Sequence, residues 1–87
     1  REALDAYRTR LPTHRLNQVL SAAQQAHPPP AGARVTYALQ GATDPPTLTL
    51  FARRPLPASY LRYLERRVRE EFDLGPTPLK LRVRTRR

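Results

Sequence analysis

Near the end of the chain, basic side chains alternate with apolar ones. Lys80, Arg82 and Arg84 should share one face of an extended segment at intervals of roughly 6–7 Å, since residues two apart on a strand point the same way. That interval is comparable with the repeat of phosphates along one nucleic-acid strand. Together with Arg86 and Arg87, these residues are candidates for phosphate binding. The alternative is that they protect an edge strand from aggregation.

A second set of arginines has helical spacing. Arg62, Arg66 and Arg69 recur at i, i+4 and i+7, which predicts a basic stripe on the solvent side of a helix. The stripe could contact phosphate. Alternatively it is a solvated face, in which Glu65 pairs with Arg69 and Arg66 pairs with Glu70.

The charge balance favours an anionic partner. The chain of 87 residues has a formal net charge of +9, and 15 of its 16 basic residues are arginine. Such a field attracts nucleic acid, an anionic membrane or an acidic protein. The guanidinium fork favours phosphate, so RNA or a ribonucleoprotein is the predicted partner, with a plain solvated basic surface as the alternative. No apolar run approaches the roughly 20 residues that a membrane span needs, and we expect a cytoplasmic protein without a membrane partner.

The sequence argues against catalysis and against a metal site. The absence of cysteine excludes disulfides and thiolate ligands. A few residues could form a hydrolase triad on paper: Ser21, Ser59, Asp44, Asp73 and either histidine. No nucleophile elbow or glycine-rich oxyanion loop accompanies them. His14 and His27 lack a metal-ligand spacing, so no cofactor is predicted for this segment.

Two helical segments come first. Residues 2–8 should form a short helix that ends before Pro12, and the chain is expected to be a piece of a larger protein. Thr13 is a candidate N-cap of the next helix. Its buried face is predicted from the helical spacing of Leu16, Val19, Leu20, Ala23 and Ala26. His27 and three prolines should end it.

Two strands should follow as an antiparallel hairpin with a loop at 41–46. In the first, Val35, Tyr37 and Leu39 are predicted to point inward, and Arg34, Thr36, Ala38 and Gln40 outward. In the second, residues 47–53, the inward side chains should be Leu48, Leu50 and Ala52, and the outward ones Thr49, Phe51 and Arg53. Phe51 could stack on a base or pack against a neighbouring domain, and packing is the favoured interpretation.

A long helix and a last strand complete the domain. Leu61, Leu64, Val68 and Phe72 line one helix face beside Tyr60. Tyr60 and Tyr63 are expected to pack in the core with their hydroxyls on loop carbonyls rather than to bind a ligand.

The predicted class is α+β, in the order α-α-β-β-α-β. A right-handed crossover would place the last strand parallel to the second, which gives a three-stranded mixed sheet of order 1-2-3 with helices on one face. The other face should be open, polar and basic, carrying a set of seven residues: Arg34, Thr49, Phe51, Arg53, Lys80, Arg82 and Arg84.

This order is that of a reduced type II KH domain. A narrower family is indicated by five segments of the sequence: "RLPTHRLNQVL", "HPPP", "YALQGATDPPTLTLF", "SYLRYLERRVREEF" and "GPTPLKLRVR". They closely resemble the C-terminal KH-like domain of the bacterial double-GTPase family Der, or EngA. On this resemblance, residues 10–87 form the KH-like domain and residues 1–9 are the end of a linking helix from a preceding domain.

The resemblance implies a role in assembly of the large ribosomal subunit, with GTP bound by domains absent from this chain. No GxxxxGK[ST] loop is present, so the segment is not expected to hydrolyse GTP. Gly32, Gly41 and Gly75 are never three apart, so the GXXG clamp of RNA-binding KH domains is missing too. The implied partners are ribosomal RNA or the subunit precursor and the protein's own GTPase domains. The alternative is a docking module that meets only protein.

Overall fold

The computed structural model describes residues 10–43 and 46–85. Its helices are α1 (Thr13–Ala26) and α2 (Ala58–Phe72). Its strands are β1 (Val35–Thr43), β2 (Pro46–Ala52) and β3 (Lys80–Thr85), and a 3₁₀ turn at Pro30–Gly32 precedes β1. The predicted helix at 2–8 and the basic residues Arg86 and Arg87 lie outside the described residues.

The sheet has the predicted topology. β2 lies in the centre, antiparallel to β1 and parallel to β3. Both helices contribute to one core with the sheet, which confirms the α+β class and the helices on one face. In the described part of the chain, neither helix is long and apolar enough to cross a membrane.

The core lies between the central strand and the two helices. Leu48 and Leu50 of β2, Leu16 of α1, and Leu64 and Val68 of α2 are all fully buried. Each such side chain stabilises the fold by about 1.5–3 kcal/mol through removal of apolar surface from water. Leu61 and Phe72, predicted for the same face of α2, are only half-buried.

The start of α1 differs from the prediction. Thr13 is the first helical residue, and Pro12 occupies the N-cap position without any side-chain cap. Pro12 has an extended ψ of 129° with φ at −59°, and its carbonyl accepts the Leu16 N–H at 2.9 Å. The ring therefore fixes the φ that the N-cap position needs, and Thr13 as N-cap was wrong. The predicted end is confirmed, because the helix stops at Ala26 before the prolines.

The predicted alternation of β1 is also wrong. Its register slips between Val35 and Tyr37, so that one extra residue, Thr36, stands in the strand. Such a bulge reverses the faces of the residues that follow it, here as far as Gln40, where a second irregularity restores the predicted phase. Ala38 and Gln40 are consequently buried, whereas Tyr37 points to the opposite face.

The connection between β1 and β2 is shorter than the loop predicted at 41–46. β1 continues through Thr43, and β2 begins at Pro46. A second irregularity, between Gln40 and Ala42, absorbs Gly41 without ending the pairing.

Side-chain amides of α1 occupy the free edge of β1. The Gln24 amide accepts the Val35 N–H at 2.8 Å and donates to the Val35 carbonyl at 3.1 Å. The Asn17 amide likewise accepts the Ala38 N–H at 2.8 Å and donates to the Ala38 carbonyl at 2.9 Å. A carboxamide carries both a donor and an acceptor, so each one replaces a residue of a missing neighbouring strand. α1 is thereby joined to β1 by directional bonds as well as by packing.

Two tyrosines of α2 bond to the end of α1: Tyr60 reaches a carbonyl just after the helix, as predicted, whereas Tyr63 reaches a helical carbonyl rather than a loop one. The Tyr60 hydroxyl donates to the His27 carbonyl at 2.6 Å, and the Tyr63 hydroxyl donates to the Ala23 carbonyl at 2.8 Å. The His27 ring meets Tyr63 edge-on with centroids 5.2 Å apart. Burial, and secondarily the neighbouring Tyr63, raise the pKa of Tyr60 above its usual value of 10.0.

Gln24→Leu should destabilise the domain strongly. It leaves the buried N–H and carbonyl of Val35 unpaired, at a cost of about 1–3 kcal/mol for each group. We expect a loss of about 2–4 kcal/mol, which lowers Tm by roughly 10–20 °C in a thermal melt of a domain this small. The exposed neighbour offers the control, Gln25→Leu, which should change stability by no more than about 0.5 kcal/mol. Equal melting of the two variants would contradict the role assigned to Gln24.

Tyr60→Phe should lower stability at neutral pH by about 0.5–1.5 kcal/mol, the net contribution of the lost hydrogen bond. Because the folded pKa of Tyr60 is raised, the unfolded chain releases this proton first. Stability from this group is therefore complete below about pH 10 and falls as pH rises towards the folded pKa. Urea melts across pH 9–11 should show a shallower decline in Tyr60→Phe than in wild type. Tyr37→Phe, at an exposed position, should match the wild-type decline.

Candidate nucleic-acid interface

The basic residues of β3 lie together on the face of the sheet that the helices leave uncovered. Lys80, Arg82 and Arg84 are paired in register with Thr47, Thr49 and Phe51 of β2. Paired residues of neighbouring strands point to the same side, so all six share one face. The intervening Leu81 and Val83 pair with Leu48 and Leu50 and pack against the core. The predicted alternation of β3 is thus confirmed.

The bulge in β1 adds apolar side chains to this face. Tyr37 pairs with Phe51, and Leu39 pairs with Thr49. The Tyr37 and Phe51 rings have centroids 6.4 Å apart and planes tilted by 31°. We call the resulting surface the outer face. It consists of eight residues: Tyr37, Leu39, Thr47, Thr49, Phe51, Lys80, Arg82 and Arg84.

The outer face is positive, and none of the acids that the structure describes lies on it. All four carboxylates of the described residues lie between positions 65 and 73, on α2 and at its C-terminal end. α2 packs on the opposite side of the sheet. Within residues 10–43 and 46–85, the cations of β3 form no ion pair. Their charge is therefore available to an anion approaching from solvent.

Two further arginines border the outer face at the end of β2. Arg53 and Arg54 are exposed and line an open groove of about 760 Å³ with Thr36, Ala52 and the turn that precedes β1. In that turn Ala31 has φ of 53° and Gly32 φ of 70°, left-handed values that fold the backbone back towards the sheet. Along the chain, Arg53 follows Phe51 of the outer face by two residues.

Arg34 is placed differently from the other predicted residues. It lies beside α1, where it lines a smaller cleft with Asn17, Ser21 and Gln24. Its backbone carbonyl accepts the Arg53 N–H at 3.0 Å. Arg34 immediately precedes β1, so it lies at the edge of the sheet opposite to β3.

The helical stripe is on the other layer, and its members are not equivalent. Arg62 and Arg66 are exposed. Arg69 is engaged internally: it pairs with Glu65 at 2.6 Å, donates to the Gly75 carbonyl at 2.9 Å and also donates to the Thr77 carbonyl. These bonds fix the turn after α2. The Arg66–Glu70 pair expected from the spacing is not formed, and both side chains face solvent.

The residues considered for catalysis or metal binding are not brought together. In the part of the chain that the structure describes, no group of three histidine or acidic side chains could hold a metal ion. Ser21, Ser59 and Asp73 are exposed at separate places in the fold, and Asp44 lies outside the described residues. Tyr37 and Leu39, both predicted to point into the core, lie on the outer face instead.

The chain matches a known protein family over most of its length. A family model described as the KH-domain-like, C-terminal domain of EngA bacterial GTPase enzymes matches residues 10–84. The chain is 42% identical over 88 residues to GTPase Der of Streptomyces coelicolor, which covers 97% of this chain and 19% of that protein. It is 44% identical to GTPase Der of Corynebacterium glutamicum, over 98% of this chain and 17% of the relative.

The similarity extends beyond these two genera. GTPase Der of Azorhizobium caulinodans is 45% identical over 90% of this chain and 18% of its own length. The chain thus spans about a fifth of the length of the relatives it matches. Together with the mixed three-stranded sheet under two helices, these matches show that the chain belongs to the family of non-catalytic KH-like C-terminal domains of the EngA (Der) GTPases.

Proposed function

We propose that this domain is the ribosome-contacting module of a GTPase that acts in assembly of the large ribosomal subunit. In this proposal the outer face binds ribosomal RNA, and the remaining surface contacts the GTPase domains of the same protein. The cofactor of the parent protein, GTP, would bind those domains and not this one. Cytoplasmic localisation follows from the proposed role.

One observation carries the proposal: the register aligns Lys80, Arg82 and Arg84 on a face that the helices leave uncovered, while the acids of the described residues lie on the opposite layer. The rise of a strand spaces these cations by roughly 6–7 Å, so successive phosphates can each meet one of them. Arginine adds planar bidentate donors to the charge. An extended RNA backbone running along β3 satisfies this geometry.

The missing GXXG loop changes how RNA would be held. KH domains that use it clamp the backbone between two helices. Here β2 is followed directly by residues 53–57 and then by a single helix, α2. The sheet, rather than a helix–loop–helix clamp, is the surface proposed for RNA.

The sheet is also stiff enough to transmit a change from a neighbouring domain. Three prolines, 28 to 30, follow α1, and Pro46 starts the central strand. Proline reduces the entropy lost when these connections become ordered. We propose that the nucleotide state of the GTPase domains exposes or covers the outer face as one rigid unit.

Arg82→Ala/Arg84→Ala should weaken binding of the domain to large-subunit ribosomal RNA in a salt-dependent way. Titrations across a salt series should give wild type a log–log slope of about −0.7 to −0.9 per phosphate neutralised, and the variant a slope shallower by about one to two contacts. Arg62→Ala/Arg66→Ala removes the same charge from the helical layer and should keep the wild-type slope. Identical slopes for the β3 variant and wild type would reject the outer face as the RNA site.

The nucleotide coupling is tested in the full-length parent protein. With GDP and with a non-hydrolysable GTP analogue, its affinity for precursor large subunits and the hydrogen-exchange protection of residues 80–85 should differ. Equal affinity and equal protection in the two states would contradict the proposed switch.

The alternative function is a docking module that meets only the GTPase domains. The exposed Tyr37 favours it, since an uncovered aromatic side chain is common at protein interfaces. This alternative expects the 87-residue chain to bind RNA no better than any polycation of equal charge, and expects the β3 variant to disturb contact with the GTPase domains.

A further inference from the structure

The outer face has an aromatic end that phosphate binding does not use. Among the described residues, Tyr37 is the one large hydrophobic side chain that is exposed, at 47%. Phe51 beside it is half-buried. Neither ring belongs to the buried core, so the Tyr37–Phe51 pair is accessible to a partner that approaches from solvent.

The two rings and the basic row are arranged as cross-strand rows. Phe51 is paired with Tyr37 on one side and with Arg84 on the other. The next row contains Leu39, Thr49 and Arg82. Strands lie about 4.8 Å apart, so each cation is roughly 10 Å from the β1 side chain in its row. The face is therefore graded from aromatic and aliphatic on β1 to cationic on β3.

That gradient matches the two sides of a nucleic-acid strand. A nucleotide presents a flat base on one side and a phosphate on the other, and any base can stack on an aromatic ring. With the backbone along β3, the bases extend over Phe51 of β2 and towards Tyr37 of β1. Arg53 and Arg54 follow Phe51 along the chain, just after β2 ends, and add exposed positive charge near that end of the sheet.

We infer that the outer face binds single-stranded RNA, with bases stacked on Tyr37 and Phe51 and the backbone on the β3 cations. This inference rests on the proposed function and names the form of RNA bound. In a duplex the bases already stack on each other and do not expose their flat surfaces, so duplex RNA could use only the cations. An acidic protein would satisfy the cations but would leave both rings without a base to stack on.

The test uses the 87-residue chain and a fluorescently labelled oligouridylate of about 12 nucleotides, within the site sizes of sheet-based single-strand binders. A self-complementary RNA duplex of matched charge is the second probe. Affinities are measured by anisotropy across a salt series. NMR spectra report the ring protons of Tyr37 and Phe51 during the same titrations.

Tyr37→Leu/Phe51→Leu removes both rings but keeps an apolar surface. It should weaken oligouridylate binding by about 10- to 100-fold, leave the salt slope unchanged, and barely affect the duplex. Tyr37→Phe keeps the ring and should bind within about twofold of wild type. Tyr37→Leu alone, at an exposed position that folding does not need, is the second variant in case the double variant is unstable. It should lose several-fold in affinity.

The outcomes separate this inference from the proposed function. If the Leu variants bind oligouridylate as wild type does while Arg82→Ala/Arg84→Ala still reduces the salt slope, stacking is wrong and the electrostatic RNA site stands. If neither changes RNA binding, both proposals fail. If oligouridylate leaves the two rings unshifted but GTPase domains added in trans shift them, the aromatic end is a protein-docking surface and the inference is overturned.

Discussion

The arrangement of this domain depends on how the outer edge of β1 is satisfied. Among the strands that the structure describes, β1 has a neighbour on one side only, and its other edge would leave backbone groups at Val35 and Ala38 unpaired. Gln24 and Asn17 supply the missing partners with their carboxamides. Each unpaired buried backbone group would cost about 1–3 kcal/mol, which is a large part of the stability of a small domain. The amide bonds therefore fix the position of α1 against the sheet.

The same edge explains the bulge. Asn17 and Gln24 are seven residues apart on α1 and therefore lie on one face of it. Their partners in β1 are Val35 and Ala38, three positions apart, so the two backbone groups can face the helix only if one extra residue stands between them. The bulge at Thr36 provides it. The side effect is that Tyr37 turns away from the core and towards Phe51, which gives the outer face its aromatic end.

The arginines of this basic domain do different work according to their neighbours. Arg69 holds the turn after α2, Arg15 lies over the Phe72 ring at 5.2 Å, and Arg67 donates to the Tyr63 hydroxyl at 3.2 Å. These side chains stabilise the helical layer. Arg82 and Arg84 have no such partner among the described residues and remain available on the sheet. The net charge of the chain does not distinguish the arginines that stabilise the fold from those that are exposed on the sheet.

Local pattern was sufficient for most of the elements. The elements were predicted from the alternation of β2 and β3, the apolar face of α2 and the proline stop after α1. The handedness of the crossover then gave the sheet order, and the alternation of β3 gave its basic row. These features succeed because each is fixed by neighbours within a few residues or by a general chirality rule. The hydroxyl bonds of Tyr60 and Tyr63 were also anticipated, since a buried phenol needs an acceptor.

What the sequence by itself determined, then, is the set of elements, their order and the cations of β3. Only the tertiary structure decided the phase of β1, the role of the amides of Asn17 and Gln24, and the internal use of Arg69. Alternation along β1 is equally regular in either phase, and the choice depends on partners 11 to 21 residues away along the chain. A contact at that separation leaves no local periodicity, so Tyr37 could be placed beside Phe51 only after α1 had packed on the sheet.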